Sequence, residues 1–238
     1  MNNAIYTTLS KQAGLSRELN SVANNIANAS TAGYRREGFL FSEYVQRLGP
    51  QDRSVSQSNV GGRFFDATPG ALARTGGTFD VAIDGDGFFV VETPQGERLT
   101  RQGNFQVDAE GQLVTADGHR VLGDGGSPVT IPPEASSITI ALDGAIAADG
   151  APVGQLGLVT VDAAALAREG DNLFRATSEY ETIEYPKLRQ GFVEASNVNA
   201  VIEVSRLIEV QRAYELNQQL MKNEDERIQK AVDAMRRR

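Results

Sequence analysis

Seven aspartates, Asp84, Asp86, Asp108, Asp117, Asp124, Asp143 and Asp149, and the single histidine, His119, are the residues of this 238-residue chain whose types could carry chemistry. Carboxylates at such spacings could ligate a divalent cation or work as an acid and base pair. Six of the seven stand immediately before Gly, the pairing that backbone turns favour. A helix-loop-helix calcium loop needs oxygens at alternate positions and then a bidentate Glu, and no stretch supplies that register. His119 follows Asp117-Gly118, with no second His or Cys to share a metal and no Gly-x-Ser-x-Gly serine nearby. Gly125-Gly126-Ser127-Pro128 runs into strand residues rather than a helix, so it is no phosphate loop. No catalytic residue, metal or cofactor is expected, and the chain does not read as an enzyme.

The elements that place these turns are strands. Phe79, Val81 and Ile83 alternate, Asp84-Gly85-Asp86-Gly87 turns the chain, and Phe88-Phe89-Val90-Val91 continues as the next strand. Similar turns follow at Pro94-Gln95-Gly96, Glu110-Gly111, Asp117-Gly118, Asp124-Gly125, Asp143-Gly144 and Asp149-Gly150, with short apolar runs between them. Many short strands at this spacing predict a central all-β domain, sandwich-like or barrel-like, over residues 72–190. Asp162 to Glu169 could add a helical turn or two before strands resume near Phe174.

Both flanks read as helices. Residues 196–235 contain neither Gly nor Pro, and Leu207, Tyr214, Met221, Ile228 and Met235 recur every seven residues. Val204 and Val232 fall on the second position of that heptad, where Gln211, Gln218 and Asp225 also stand, so the polar members are expected to face other subunits. A helix from Val198 to Met235 would span about 57 Å, too long to hide its stripe in a small globule. Leu15, Leu19, Val22 and Ile26 give the N-terminal segment a similar stripe, and the two are expected to pack together. Asn24, Asn25 and Asn28 crowd the end of this helix, where amides could bond across an interface. The fold class expected is therefore α+β, with long N- and C-terminal helices forming a coiled-coil-like domain beside the β domain. Its boundaries are residues 1–33 and 196–238 for the helical domain, with 34–71 as a connector. The expected subunit interface comprises Leu15, Leu19, Val22, Asn24, Asn25, Ile26, Asn28, Asn197, Val204, Leu207, Gln211, Tyr214, Gln218, Met221 and Ile228.

Composition narrows the function. Hydrophobic residues make up 40% of the chain, enough for a core. A formal net charge of −8 opposes a nucleic-acid partner, and Arg236-Arg237-Arg238 suits the negative end of a helix dipole. With no Cys there is neither a disulfide framework nor thiolate chemistry. No apolar run approaches the roughly 20 residues that cross a bilayer. Met1-Asn2-Asn3-Ala4-Ile5-Tyr6 lacks the basic and apolar regions of a cleavable signal, so any export is expected to use another route.

At both ends the residues resemble the axial proteins of the bacterial flagellum, the family that forms the rod, the hook and the junctions between them. Val22-Ala23-Asn24-Asn25-Ile26-Ala27-Asn28-Ala29-Ser30-Thr31-Ala32-Gly33-Tyr34 is similar to its N-terminal signature. Gly191-Phe192-Val193-Glu194-Ala195-Ser196-Asn197-Val198-Asn199 and Gln211-Arg212-Ala213-Tyr214-Glu215 resemble its C-terminal one. Asp80 to Val91 and Thr100-Arg101-Gln102-Gly103-Asn104-Phe105 look like the β domain of its rod and hook members. The resemblance implies a structural subunit of the rod, the drive shaft across the periplasm, whose terminal helices pack into an inner tube with the β domain outside. It also implies as partners adjacent rod proteins, copies of the same chain and the flagellar type III export apparatus. Within the family, Ile5-Tyr6-Thr7 and the modest length favour a proximal rod protein, while the Gln-Arg-Ala-Tyr-Glu run is as similar to the distal one. A β-rich enzyme with helical ends and a secreted adhesin are the readings from other classes; activity of a lone monomer would mark the first, an exposed ligand surface the second.

Overall fold

A computed structural model of the chain describes residues 2–46, 55–170 and 172–236. They form two compact units, one of residues 1–28, 36–66 and 198–238, the other of residues 29–35 and 67–197.

The first unit holds α1 (Asn2–Ala27) and, from residues inside the stretch read as a connector, an antiparallel ribbon of β1 (Glu37–Gln46) and β2 (Val55–Phe65). Its last element is α2 (Ala200–Arg236). Asn199 caps α2, its Oδ1 accepting from Val201 N and Ile202 N at 3.1 and 3.2 Å, which satisfies two of the donors every helix start leaves open. Val22 is buried in α1, while Leu15, Leu19 and Ile26 are half-buried.

The coiled-coil-like domain expected of the terminal helices does not form. Among the described residues the chain is mostly β, with one helix at each end. α1 divides its contacts between α2 and the ribbon, so neither helix has the other as its sole partner. The seam is also polar where a coiled coil needs apolar knobs. The fully buried positions of α2 are Glu203, Val210 and Asn217, seven apart but one residue before the expected Val204, Gln211 and Gln218. Val204 and Val232 are exposed. Glu203 and Asn217 are tolerated because they bond: Asn217 Nδ2 donates to Thr8 O at 2.9 Å and Arg36 Nε to Glu203 Oε1 at 2.6 Å.

The second unit carries β3 (Leu72–Arg74), β4 (Val81–Ile83), β5 (Phe88–Thr93), β6 (Gly96–Thr100), β7 (Gln106–Val107), β8 (Leu113–Val114) and β9 (Arg120–Val121). Then come β10 (Ile138–Ile140), β11 (Ala145–Ala148), β12 (Ala151–Gln155) and β13 (Leu158–Thr160). After a 3-10 turn at Ala163–Ala165, β14 (Leu166–Glu169), β15 (Leu173–Ala176), β16 (Glu181–Thr182), β17 (Leu188–Gln190) and β18 (Phe192–Glu194) complete it. The largest sheet runs β14-β15-β6-β5-β9-β8-β7, with β13 pairing β5 and β16. β5 lies at its middle, which explains why Phe88-Phe89-Val90-Val91 is apolar on both faces rather than alternating. Phe89 meets Phe105 edge-on, with ring centres 5.0 Å apart, in a core that includes Val81, Val91, Leu113, Val121, Leu156, Leu158 and Leu188. Gly103 has to be Gly, because a Cβ there would sit 1.8 Å from Val81 O.

Candidate functional site

Several of the aspartate side chains are engaged in the turns themselves. Asp108 Oδ1 accepts from Glu110 N and Gln112 N, Asp143 Oδ1 from Ala145 N, and the Asp149 carboxylate from Ser136 N and Ser137 N. Asp84 is held by Arg189 at 2.7 Å. The backbone of His119 donates to Thr115 Oγ1 at 3.2 Å. These are turn and surface bonds. Among the described residues no group of His, Cys, Asp or Glu could hold a metal ion, and no helix is long and apolar enough to cross a membrane.

What the helical unit offers is a surface. At 3.6 residues per turn, Val201, Val204, Ile208 and Leu216 share the face of α2 opposite Glu203, Val210 and Asn217. All four are exposed, Val201 by 77% and Leu216 by 63%, and Ile202 and Leu220 are exposed beside them. α2 thus shows apolar residues on two opposite faces, of which its own chain covers one. A helix apolar all round is normally a buried one.

The sequence-derived interface residues divide accordingly. Leu207, Tyr214, Met221 and Ile228 are half-buried on the side of α1, where Gln12 Nε2 donates to Tyr214 Oη at 3.2 Å. Val204, Gln211 and Gln218 stand on the flank of that stripe and are exposed. Asn25 is buried: its Nδ2 donates to Glu37 O at 2.9 Å and Glu203 Oε2 at 3.2 Å, and its Oδ1 accepts from Glu37 N at 2.9 Å. Asn24 Nδ2 donates to Glu37 Oε1 at 3.3 Å, and Asn28 Nδ2 to Asn24 O at 2.9 Å. The first and second of these amides therefore strap β1 to the end of α1. Asn197 lies in the β unit, where its Nδ2 donates to Thr68 O at 2.9 Å.

Sequence reasoning missed Val201, Ile202, Ile208, Leu216 and Leu220, although the Val201-Ile202-x-Val204 run overfills a single stripe. It also missed an ion cluster in the β unit. Glu194 there is 1% exposed, with Arg35 Nη1 at 2.6 Å, Arg101 Nε at 3.3 Å and Gly70 N donating at 2.8 Å. Burial pushes the Arg101 guanidinium down to about 10, against the pull of Glu194 and with the repulsion of Arg35. It still carries its charge at neutral pH, so two cations share one buried carboxylate. The same place binds the segment Ala29–Arg35. Gly33 N donates to Glu194 O at 2.7 Å, Asn172 Nδ2 to Ala32 O at 3.0 Å, and the Arg168 guanidinium stands 4.1 Å from the centre of the buried Tyr34 ring. Gly33 has a φ of 68° and backs onto the Arg101 carbonyl so closely that a Cβ would lie 2.4 Å from its carbon. This glycine of the N-terminal signature is thus fixed by its contact with the strand edge as well as by helix termination.

Residues 5–35 match the family described as flagella basal body rod protein, residues 82–148 the flagellar hook protein FlgE/F/G D1 domain, and residues 189–234 the flagellar basal body rod FlgEFG protein C-terminal. The flagellar basal-body rod protein FlgF of Caulobacter vibrioides is 41% identical, over 99% of this chain and 98% of that protein. FlgF of Mesorhizobium japonicum is 37% identical over 93% of each. The flagellar basal-body rod protein FlgG of Bacillus subtilis is 31% identical over 99% of this chain and all of that protein.

Proposed function

The chain belongs to the flagellar basal-body rod protein family, and we propose that it is a structural subunit of the rod, of the FlgF kind, which assembles with other rod proteins and with copies of itself. The observation that carries this is the second apolar face of α2, Val201, Val204, Ile208 and Leu216, which its own chain leaves in water. A subunit with such a face gains about 1.5–3 kcal/mol for each large side chain that a neighbour buries. Gln211 and Gln218 are exposed on the flank of α2 between its two faces and would add hydrogen bonds to neighbours. The unit with α1 and α2 then supplies contacts to neighbouring subunits through that face. Its place is the basal body, in the shaft that crosses the periplasm, reached through the flagellum's own type III export apparatus. No nucleic acid and no chemical substrate enter this role.

The test is a pair of substitutions, Val204→Asp and Ile208→Asp. Each puts a charge on the outward face without touching the seam with α1. The purified variants should unfold with unchanged midpoints, while their recovery in intact rods and the motility of the cells are lost. Normal motility in both would overturn the assignment of that face. The distal-rod reading has the identity to FlgG in its favour and predicts a different rescue. A strain lacking only FlgF should regain motility with this chain, and a strain lacking only FlgG should not.

A further inference from the structure

Six Asp-Gly pairs were assigned above to turns, and the folded chain leaves one of them free to react. We propose that Asp124-Gly125 is a site of spontaneous succinimide formation, and hence of isoaspartate, in the native protein. In this reaction the Gly125 nitrogen attacks the Asp124 Cγ. The new C–N bond forms as a Cγ–O bond breaks, and the oxygen leaves as water with one proton from the carboxyl group and one from the amide. Water then opens the ring at the α-carbonyl carbon, whose bond to nitrogen breaks. The chain afterwards runs through the side-chain carbonyl, one methylene longer and with its mass restored. Ring closure needs a carboxyl group that is not held, an amide that is not donating, and a glycine with room to turn.

The other five pairs each fail one condition. The Asp84 carboxylate is held by Arg189 at 2.7 Å, and the Asp149 carboxylate by Ser136 N and Ser137 N at 3.1 and 2.9 Å. Gly118 N and Gly144 N are engaged, donating to Thr115 O at 2.9 Å and Ala141 O at 3.0 Å. Gly87, after Asp86, is buried, and a Cβ there would sit 2.5 Å from Ile183 Cδ1, so it has no room to rotate. Gly125, in contrast, is exposed with nothing within 4 Å of where a Cβ would stand. The backbone bonds around it, Gly123 N to Ser127 O and Gly126 N to Gly123 O, bypass its own amide. Asp124 uses its backbone N to reach Gln155 O at 3.2 Å, and its side chain borders a cleft of about 130 Å³ into which it can swing.

Folded full-length protein is incubated for weeks in mildly acidic buffer, where part of the carboxyl population keeps the proton the reaction needs, then digested and mapped for peptides of unchanged mass that the protease specific for Asp no longer cuts. Isoaspartate is expected at residue 124 severalfold faster than at any other Asp-Gly pair. In concentrated urea the six pairs should react at similar rates, since the fold no longer selects among them. Gly125→Ala should slow the reaction at 124 severalfold with the unfolding midpoint unchanged. An even distribution in the folded protein, a different leading site, selectivity that persists in urea, or an unslowed Gly125→Ala variant would each overturn the proposal.

Discussion

Glu194 is the side chain on which the β unit depends for charge balance. It is shared by Arg35 and Arg101, all three are almost wholly buried, and the backbone N of Gly70 donates to the oxygen that faces Arg35, while the other oxygen has Arg101 as an ion partner without a hydrogen bond. A buried pair gives little net stability when whole, but removing one partner leaves the other charge unmatched at a cost of about 3–5 kcal/mol. Glu194→Gln keeps the shape and strands two guanidinium groups, so the unfolding free energy should fall by that measure and the midpoint with it. Glu92→Gln, at an exposed ion pair with Arg120, should leave it nearly unchanged. Tyr180 offers a pH test. Its hydroxyl donates to Glu97 Oε2, and that bond, with burial second, pushes the phenol up to about 12 from the usual 10. A raised folded pKa means that the contribution is complete below pH 10 and is lost as pH rises through about 12. Phenolate absorbance should show one tyrosine ionising late, and Tyr180→Phe should remove that late step. The motif around Glu194 was legible in the sequence, but its partners were not, because Arg35 and Arg101 lie far away in the chain and ordinary Arg spacing carries no sign of burial.

The heptad of α2 shows how a true pattern can give a wrong seam. Leu207, Tyr214, Met221 and Ile228 do turn toward α1, and the helix runs unbroken as its composition requires. The companion positions are one residue earlier than expected, at Glu203, Val210 and Asn217. An apolar scale ranks Val204 above Glu203 as a seam residue, and only the bonds from Asn25 and Arg36 to Glu203 reverse that order. The ribbon was illegible for a related reason: residues 37–65 mix charges, serines and aromatics without alternation, and their strands are specified by pairing and by Asn25. The start of α2, by contrast, reads directly from Asn199. Replacing that cap by Ala should cost about 1 kcal/mol and lower helical signal at elevated temperature, whereas Asn223→Ala in the helix interior should not destabilise it. Equal behaviour of the two variants would remove the cap from the account.

At the scale of the whole chain, the β unit could be recognised from its turns, but its membership could not. Residues 29–35 look like the frayed end of α1, since Ser30-Thr31-Ala32-Gly33 is small and polar, yet they belong to the β unit. Their value there lies in long-range contacts: Tyr34 is buried under Arg168, Arg35 pairs with Glu194, and Asn197 N donates to Tyr34 O at 3.3 Å. Such contacts have no local signature, because each partner is specified by strand register far along the chain. Two fragments separate this from a frayed helix end. Residues 29–197 include the segment, and residues 67–197 omit it. Burying the Tyr34 ring alone is worth about 1.5–3 kcal/mol, and the shorter fragment also loses one of the two cations facing Glu194. In urea, the longer fragment should therefore unfold in a single transition at a clearly higher midpoint. Arg35→Ala in the longer fragment should lose only part of the difference, since Tyr34 and the Gly33 N bond to Glu194 O remain. If the two fragments unfold together, residues 29–35 are dispensable to the β unit, and the glycine of the signature serves the helix end alone.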